Sequence, residues 1–149
     1  MKVMVVSDTH GARVLEICNI ARADKEITHI LHLGDYASDA EQFAKLLPDK
    51  KVLGVRGNND IFSRFPLERQ CELCGKKMLL IHGHTYGVKT GLHKLAHRAR
   101  ELDAELVLFG HTHLKCDEAI DGIRFLNPSA RGYILINDDG SWCSYAFSD

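Results

Sequence analysis

Residues 2–11, Lys2-Val3-Met4-Val5-Val6-Ser7-Asp8-Thr9-His10-Gly11, join a short valine-rich run to a polar loop. An apolar, β-branched run of this length that stops at turn residues is typical of a buried strand. Apolar residues then recur at helical spacing over residues 14–21. This stretch therefore predicts a strand–loop–helix unit whose loop carries Asp8 and His10.

The same unit recurs along the first two thirds of the chain. Four more apolar runs stop at polar loops, at residues 30–33, 52–55, 77–81 and 106–109. Helical spacing returns over residues 38–47 and 92–102, and Ser38 with Glu41 predicts a capping box at the start of the first of these helices. Alternation of strands and helices indicates a parallel sheet connected by right-handed crossovers.

Hairpins are predicted in the rest of the chain. Asp121-Gly122 and Asp139-Gly140 are favourable hairpin turns between strand-like runs, and residues 68–73 are expected to pair with residues 77–81. The sequence contains no internal repeat, linker or low-complexity segment. We therefore expect a single α/β domain over residues 1–149 with two packed sheets.

The composition is that of an ordinary globular domain, because hydrophobic residues make up 45% and charged residues 26% of the 149 residues. Nineteen basic and 20 acidic residues give a formal net charge of −1, which argues against binding of extended nucleic acid. No apolar run approaches the roughly 20 residues that span a bilayer, so no membrane partner is expected. Five cysteines, an odd number without dense spacing, favour reduced thiols and a cytoplasmic location.

Side chains with metal-binding chemistry follow each of the five apolar strands. In chain order they are Asp8, His10, Asp35, Asn58, His82, His111 and His113. The carboxyl ends of parallel strands lie at one edge of a sheet, where ligand crevices form. Any single strand must end in something polar, but five such endings in succession favour a functional site over ordinary loops.

The chemistry of these side chains favours divalent first-row ions. Carboxylate and amide oxygens mixed with imidazoles suit Mn, Fe, Ni, Co or Zn better than an oxygen-only calcium or magnesium site. Seven ligands exceed what one tetrahedral ion accepts, so two ions are expected, with a carboxylate such as Asp35 bridging them. His32, three residues before Asp35, is interpreted as a packing residue rather than a ligand.

Taken in order, these motifs resemble the calcineurin-like metallophosphoesterase superfamily. The resemblance covers nearly the whole chain and is carried by Asp8-x-His10, Gly34-Asp35, Gly57-Asn58, His82 and Gly110-His111-x-His113. The stretch His82-Gly83-His84-x-Tyr86-Gly87 is similar to the small prokaryotic phosphodiesterase branch of that superfamily. The resemblance implies a four-layer α/β/β/α sandwich, in which two mixed sheets pack together between outer helices.

The resemblance also implies a ligand assignment and a reaction. Asp8, His10 and His113 would hold the first ion. Asn58, His82 and His111 would hold the second, and Asp35 would bridge the two. A hydroxide shared by the two ions, with manganese the first expectation, would attack the phosphorus of a small phosphate-ester substrate in line.

The sequence departs from larger family members at Asn59, where a histidine proposed to protonate the leaving group often follows the ligand asparagine. An amide has no useful pKa for that task, so we expect phosphodiesters to be preferred over alkyl monoesters. Asp60 is expected to lose its usual partner. Asp35 and Asn58 are the expected catalytic residues, and His84 is a further candidate for proton transfer.

Two other functions are compatible with the same sequence. The small branch also resembles the retromer scaffold subunit, so a non-catalytic, metal-binding interaction scaffold is the main alternative. A nuclease acting on short nucleic acids is the other, because nucleic acids are also phosphodiesters. A homo-oligomer is compatible with the sequence, although no residue in it identifies an interface.

Overall fold

A computed structural model describes residues 1–148, and in this range the chain forms three α-helices, a short 3₁₀ helix and ten strands. The helices are α1 (Val14–Ala23), α2 (Ala37–Leu46), the 3₁₀ helix (His84–Tyr86) and α3 (His93–Glu101). The strands are β1 (Lys2–Val6), β2 (Ile27–His32), β3 (Lys51–Gly54), β4 (Glu68–Leu73), β5 (Lys76–Ile81), β6 (Leu106–Leu108), β7 (Cys116–Ile120), β8 (Ile123–Asn127), β9 (Gly132–Asn137) and β10 (Trp142–Ala146).

The strands form two mixed five-stranded sheets. The first has the order β10-β9-β1-β2-β3, with β1, β2 and β3 parallel and β9 and β10 antiparallel to their neighbours. The second has the order β4-β5-β6-β8-β7, with β5, β6 and β8 parallel. The three predicted hairpins pair as expected, β4 with β5, β7 with β8 and β9 with β10.

Three apolar layers hold the two sheets and the helices together. Val5 and Leu31 of the first sheet pack against Leu80 and Leu108 of the second. The outer face of the first sheet packs against α1 and α2, and the outer face of the second packs against α3. Each large side chain buried in these layers contributes roughly 1.5–3 kcal/mol to folding.

This packing confirms the predicted four-layer α/β/β/α sandwich. The layered arrangement brings the carboxyl ends of the parallel strands of both sheets to one region of the molecule. The organisation of residues 1–149 as a single domain stays a prediction. Within residues 1–148, no helix has both the length and the apolar character needed to cross a membrane.

The start of α2 corrects one expectation, because the predicted capping box of Ser38 and Glu41 is wrong. Helix α2 begins at Ala37, after Tyr36 in a left-handed conformation, and Tyr36 makes no side-chain capping bond. The Ala37 N–H instead donates to Asp60 Oδ1 at 2.9 Å. A distant carboxylate thus satisfies a free N–H of the first turn, and a negative charge there also complements the helix dipole.

Candidate metal centre

The structure places the seven predicted ligands on loops that follow five strands of the two sheets. The loops after β1, β2 and β3 carry Asp8 with His10, Asp35 and Asn58, and those after β5 and β6 carry His82, His111 and His113. Asp8, Asp35 and His82 are buried, whereas His10 and His113 are exposed. The carboxylates are thus buried beneath exposed imidazoles, and a small ion can reach them from solvent.

Four of these residues form a compact group of metal-ligand atoms. One ligand atom each of Asp8, His10, Asp35 and His113 lies within 4.8 Å of the other three. His113 Nε2 is 3.3 Å from Asp8 Oδ1. That carboxylate oxygen is buried and accepts no hydrogen bond within the described chain, a costly condition that a cation would relieve.

The other three predicted ligands are Asn58, His82 and His111, and His82 lies at the centre of their contacts. Its Nε2 atom is 3.1 Å from Asn58 Oδ1, 3.5 Å from Asp35 Oδ2 and 3.8 Å from Asp8 Oδ1. The His111 ring centroid is 5.0 Å from that of His82. His82 Nδ1 lies 2.8 Å from the Leu33 carbonyl, and donation to this carbonyl orients the ring so that Nε2 faces the ligand group.

The electrostatics of this group favour a bound cation. Burial alone would raise the pKa of Asp35, but hydrogen bonds from His82 and Asn59 lower it to about 2. Burial acts to lower the pKa of His82, but Asp35 and Asp8 outweigh this effect and raise it. Asp35 is therefore a carboxylate at neutral pH, as a metal ligand must be.

An unusual backbone conformation is common to five of the predicted ligands. Positive φ angles between 50° and 68° occur at Asp8, His10, Asp35, His111 and His113. Such angles are uncommon for residues other than glycine, and they concentrate where side chains are held for a function. The tight loops turn the side chains back toward one point, and the loops must be held in place by other contacts.

Asn59 and Asp60 hold the Asp35 loop. Asn59 donates from its backbone N–H to Asp35 Oδ1 at 3.1 Å and from Nδ2 to Asp35 Oδ2 at 3.0 Å. Asp60 Oδ2 accepts the N–H groups of Asp35 and Gly57, both at 2.8 Å. With its usual partner missing, as expected from Asn59, the Asp60 carboxylate is occupied by backbone amides.

A buried side-chain relay holds the Asp8–His10 loop from below. His32 Nε2 lies 2.9 Å from Thr9 Oγ1, and Thr9 in turn donates to Asp39 Oδ2 at 2.5 Å. The Gly34 N–H donates to His32 Nδ1 at 3.1 Å, so the neutral ring carries its proton on Nε2. His32 is fully buried, as a packing residue would be, but it also positions a predicted ligand loop.

His32 predicts a measurable loss of stability in acid. Burial lowers the pKa of His32 from 6.5 to about 4, so folding favours the neutral ring. The stability due to neutral His32 is complete above pH 6.5 and is lost as the pH falls toward 4, a difference of about 3 kcal/mol. In urea unfolding at pH 7 and pH 4.5, His32→Gln should lose less stability between the two pH values than the wild type. An identical pH dependence for both proteins would contradict the burial of a neutral ring.

Asn127 holds the His111–His113 loop, a role that was not predicted from the sequence. The side chain is fully buried, and Nδ2 donates to the Gly110 carbonyl and to Thr112 Oγ1, both at 3.1 Å. Its Oδ1 accepts the Ser129 N–H at 2.9 Å. An asparagine at the end of a buried strand next to proline was the available signal.

His84 lies beside the proposed ligands rather than among them. Its ring centroid is 5.5 Å from that of His82 and 6.1 Å from that of His111. Its Nδ1 atom is buried without a hydrogen-bond partner in the described chain. Burial, followed by the charge of His82, lowers the pKa of His84. The ring is thus close to the group, but its environment favours the neutral form.

Comparison with known proteins shows which proteins the chain resembles. The family model of the calcineurin-like phosphoesterase superfamily domain matches residues 1–146. The probable metallophosphoesterase YsnB of Bacillus subtilis is 34% identical over 131 residues, which cover 87% of this chain and 75% of YsnB. The phosphodiesterase MJ0936 of Methanocaldococcus jannaschii is 26% identical over 155 residues, covering 86% of this chain and 82% of that protein. The crystal structure of Vps29 from Entamoeba histolytica complexed with Zn²⁺ superposes with a TM-score of 0.76 at 24% identity, covering 97% of each chain.

Proposed function

The chain belongs to the calcineurin-like phosphoesterase superfamily, and from this premise we propose that it is a phosphodiesterase that uses two divalent ions. The observation that carries the proposal is the group of Asp8, His10, Asp35 and His113 around an unpartnered buried carboxylate oxygen. Members of this superfamily use divalent metals, and this chain has a fitting set of donors. We propose manganese as the metal, and the five free cysteines favour a cytoplasmic location.

The donor set supports two adjacent ion positions. Asp8, His10 and His113 would hold one ion, and Asn58, His82 and His111 would hold the other. Asp35 lies within reach of both groups, because it belongs to the first group and its Oδ2 is 3.5 Å from His82 Nε2. When bound, such ions provide a nucleophile at neutral pH and neutralise charge on the phosphate oxygens.

The residues of the chain itself contribute orientation. Asn59 fixes both oxygens of Asp35, and the Leu33 carbonyl fixes the ring of His82. The folded chain already holds these side chains in position, so little rearrangement is needed when a phosphate ester binds.

The same contacts support a preference for diesters. The Asn59 side-chain amide already donates a hydrogen bond to Asp35, and an amide cannot transfer a proton to a leaving group at neutral pH. His84 is a poor proton donor because burial lowers its pKa. Substrates that need a protonated leaving group, such as alkyl monoesters, therefore lack assistance at this site.

Hydrolysis by the metal-loaded protein tests the proposal. We expect Mn²⁺-dependent turnover of bis(p-nitrophenyl) phosphate, with cleavage of an alkyl monoester slower by about 10²-fold, the low end of what general acid catalysis supplies. Chelation by EDTA should abolish turnover, and added Mn²⁺ should restore it. Faster cleavage of the alkyl monoester would refute the assignment of Asn59, and no turnover of any ester would refute the enzyme.

The structural similarity to Vps29 favours a second candidate, a metal-binding interaction scaffold. The two candidates share the fold and the ion-binding group, so metal binding alone does not separate them. Tight Mn²⁺ binding without turnover of diesters or monoesters would support the scaffold. The next measurement would then be a search for a protein that binds the metal-loaded chain.

A further inference from the structure

Two large hydrophobic side chains project into solvent from a turn beside the candidate metal centre. Ile61 is 80% and Phe62 is 97% exposed. They occupy the corners of a turn closed by the Ser63 N–H, which donates to the Asp60 carbonyl at 3.0 Å. Turn corners usually carry glycine, proline or small polar residues. Adjacent exposed apolar side chains at such a position are a feature that calls for a binding partner.

The turn borders a groove that starts at a proposed metal ligand. A cavity of about 530 Å³ is lined by His10, Tyr36, Ser38, Asn59 and Asp60. A second cavity shares Ser38, Asn59 and Asp60 with the first and extends to Glu41, Ile61 and Phe62. The first volume is within the usual range for a small-molecule site, and the three shared residues place the two cavities next to each other.

The walls of this groove are held at a fixed position relative to the metal-ligand group. The Tyr36 ring, which is 44% exposed, lies 4.8 Å from the His10 ring between centroids. The turn that carries Phe62 begins at Asp60, and the Asp60 carboxylate is bonded to the Asp35 N–H. A substituent of a phosphate held near His10 and Asp35 would enter the cavity lined by Tyr36, and the adjoining cavity carries Phe62.

The lining selects the chemistry of that substituent. Tyr36 and Phe62 offer faces on which a planar ring can stack. The groove residues include the carboxylates of Glu41 and Asp60 but no lysine or arginine, which disfavours a second phosphate group. The Glu41 carboxylate and the Ser38 hydroxyl can accept N–H groups from the edge of a ring.

We propose that this groove binds the nucleobase of a nucleotide phosphodiester, with Phe62 as the stacking residue and Glu41 as an acceptor for ring N–H groups. The inference rests on the proposed phosphodiesterase function and adds the class of substrate to it. Guanine is the base of choice for a first test, because its ring N–H and amino group can donate together to one carboxylate.

The test compares three diesters that share a p-nitrophenol leaving group and differ in the other substituent, which is guanosine, phenyl or methyl. In the Mn²⁺-loaded wild type we expect kcat/KM to be about tenfold higher for the guanosine than for the methyl diester, as a stacked base provides. Phe62→Ala should lower this ratio about tenfold, and Phe62→Trp should retain it. Glu41→Gln should lower the ratio of guanosine to phenyl diester. Leu15→Ala is the control for loss of a large exposed side chain, because Leu15 lies on α1 and is 74% exposed. This variant should change neither ratio.

The outcomes separate this inference from the function on which it rests. Cleavage of all three diesters with a guanosine-to-methyl ratio near one, or with a ratio unaffected by Phe62→Ala, would overturn the groove assignment and leave the phosphodiesterase standing. Equal rates for phenyl and guanosine would overturn the nucleobase. If no diester is cleaved, the proposed function fails. Calorimetric measurement of guanosine 5′-monophosphate binding then tests whether the groove binds a nucleobase. Equal affinity of the wild type and Phe62→Ala would then overturn it.

Discussion

Asp35→Ala is expected to lower Mn²⁺-dependent diester turnover by at least about 10³-fold, because it removes a group that both proposed ions share. Asp35 belongs to the compact group of four ligand residues, and its Oδ2 also faces His82 Nε2 at 3.5 Å. The nearby carboxylate of Asp60 cannot take its position, since it is engaged with backbone amides. Loss of this side chain therefore weakens both ion positions at once.

Metal binding gives a second measure of the same substitution. A ligand present at 100 times its Kd stabilises a folded protein by about 2.7 kcal/mol, so Mn²⁺ should raise the Tm of the wild type by several degrees. Asp35→Ala should lose most of this increase. Asp49→Ala is the matched control, because it removes a carboxylate whose side chain is 74% exposed. Turnover by Asp35→Ala within tenfold of the wild type would contradict the bridging role.

The strands and the clustering of the candidate ligand residues were predictable because both depend on short-range patterns. An apolar run that ends in a polar loop marks the carboxyl end of a strand, and parallel strands bring such ends together. Asp8 and His111 therefore fall near each other although 103 residues separate them, and the His111 N–H donates to Asp8 Oδ2. The two sheets followed from the change from strand–helix alternation to hairpins.

The residues that hold the loops were not predictable, because their roles depend on contacts between distant segments. Asp60 bonds the Asp35 N–H across 25 positions, and Asn127 bonds the Gly110 carbonyl across 17. Thr9 joins His32 and Asp39, which lie 23 and 30 positions away. A polar residue in a sequence gives no indication of which distant amide it meets. The capping box failed for this reason, since Asp60 took the place of Ser38 at the start of α2.

These contacts explain how five of the candidate ligand residues keep left-handed backbone angles. Each such residue costs of the order of 1 kcal/mol, and the surrounding structure must supply what maintains it. Asp60 supports the loop of Asp35, the Thr9 relay supports that of Asp8 and His10, and Asn127 supports that of His111 and His113. The geometry of the candidate site therefore depends on the contacts that hold these three loops as much as on the candidate ligand residues.

Gly110→Ala is expected to damage the site without changing any proposed ligand. A Cβ atom at position 110 would clash with Ser7 Oγ and lie 2.8 Å from Asp8 Oδ2. Ser7 donates to that same Asp8 oxygen at 2.6 Å, so the clash must displace Asp8 or the loop that follows Gly110. Displacement of a reacting group by about 1 Å can cost roughly 10²-fold in rate, which is the loss of diester turnover that we expect.

Gly122→Ala provides the comparison that isolates crowding at Asp8 from a general effect of losing a glycine. Gly122 lies in the β7–β8 hairpin with φ +79°, and nothing is within 4 Å of its Cβ position. Alanine there should cost about 1 kcal/mol of folding stability through backbone strain, yet retain Mn²⁺ stabilisation and turnover. Gly110→Ala should lose both in a chain that still unfolds cooperatively. Equal behaviour of the two variants would mean that the position of Asp8 does not control metal binding.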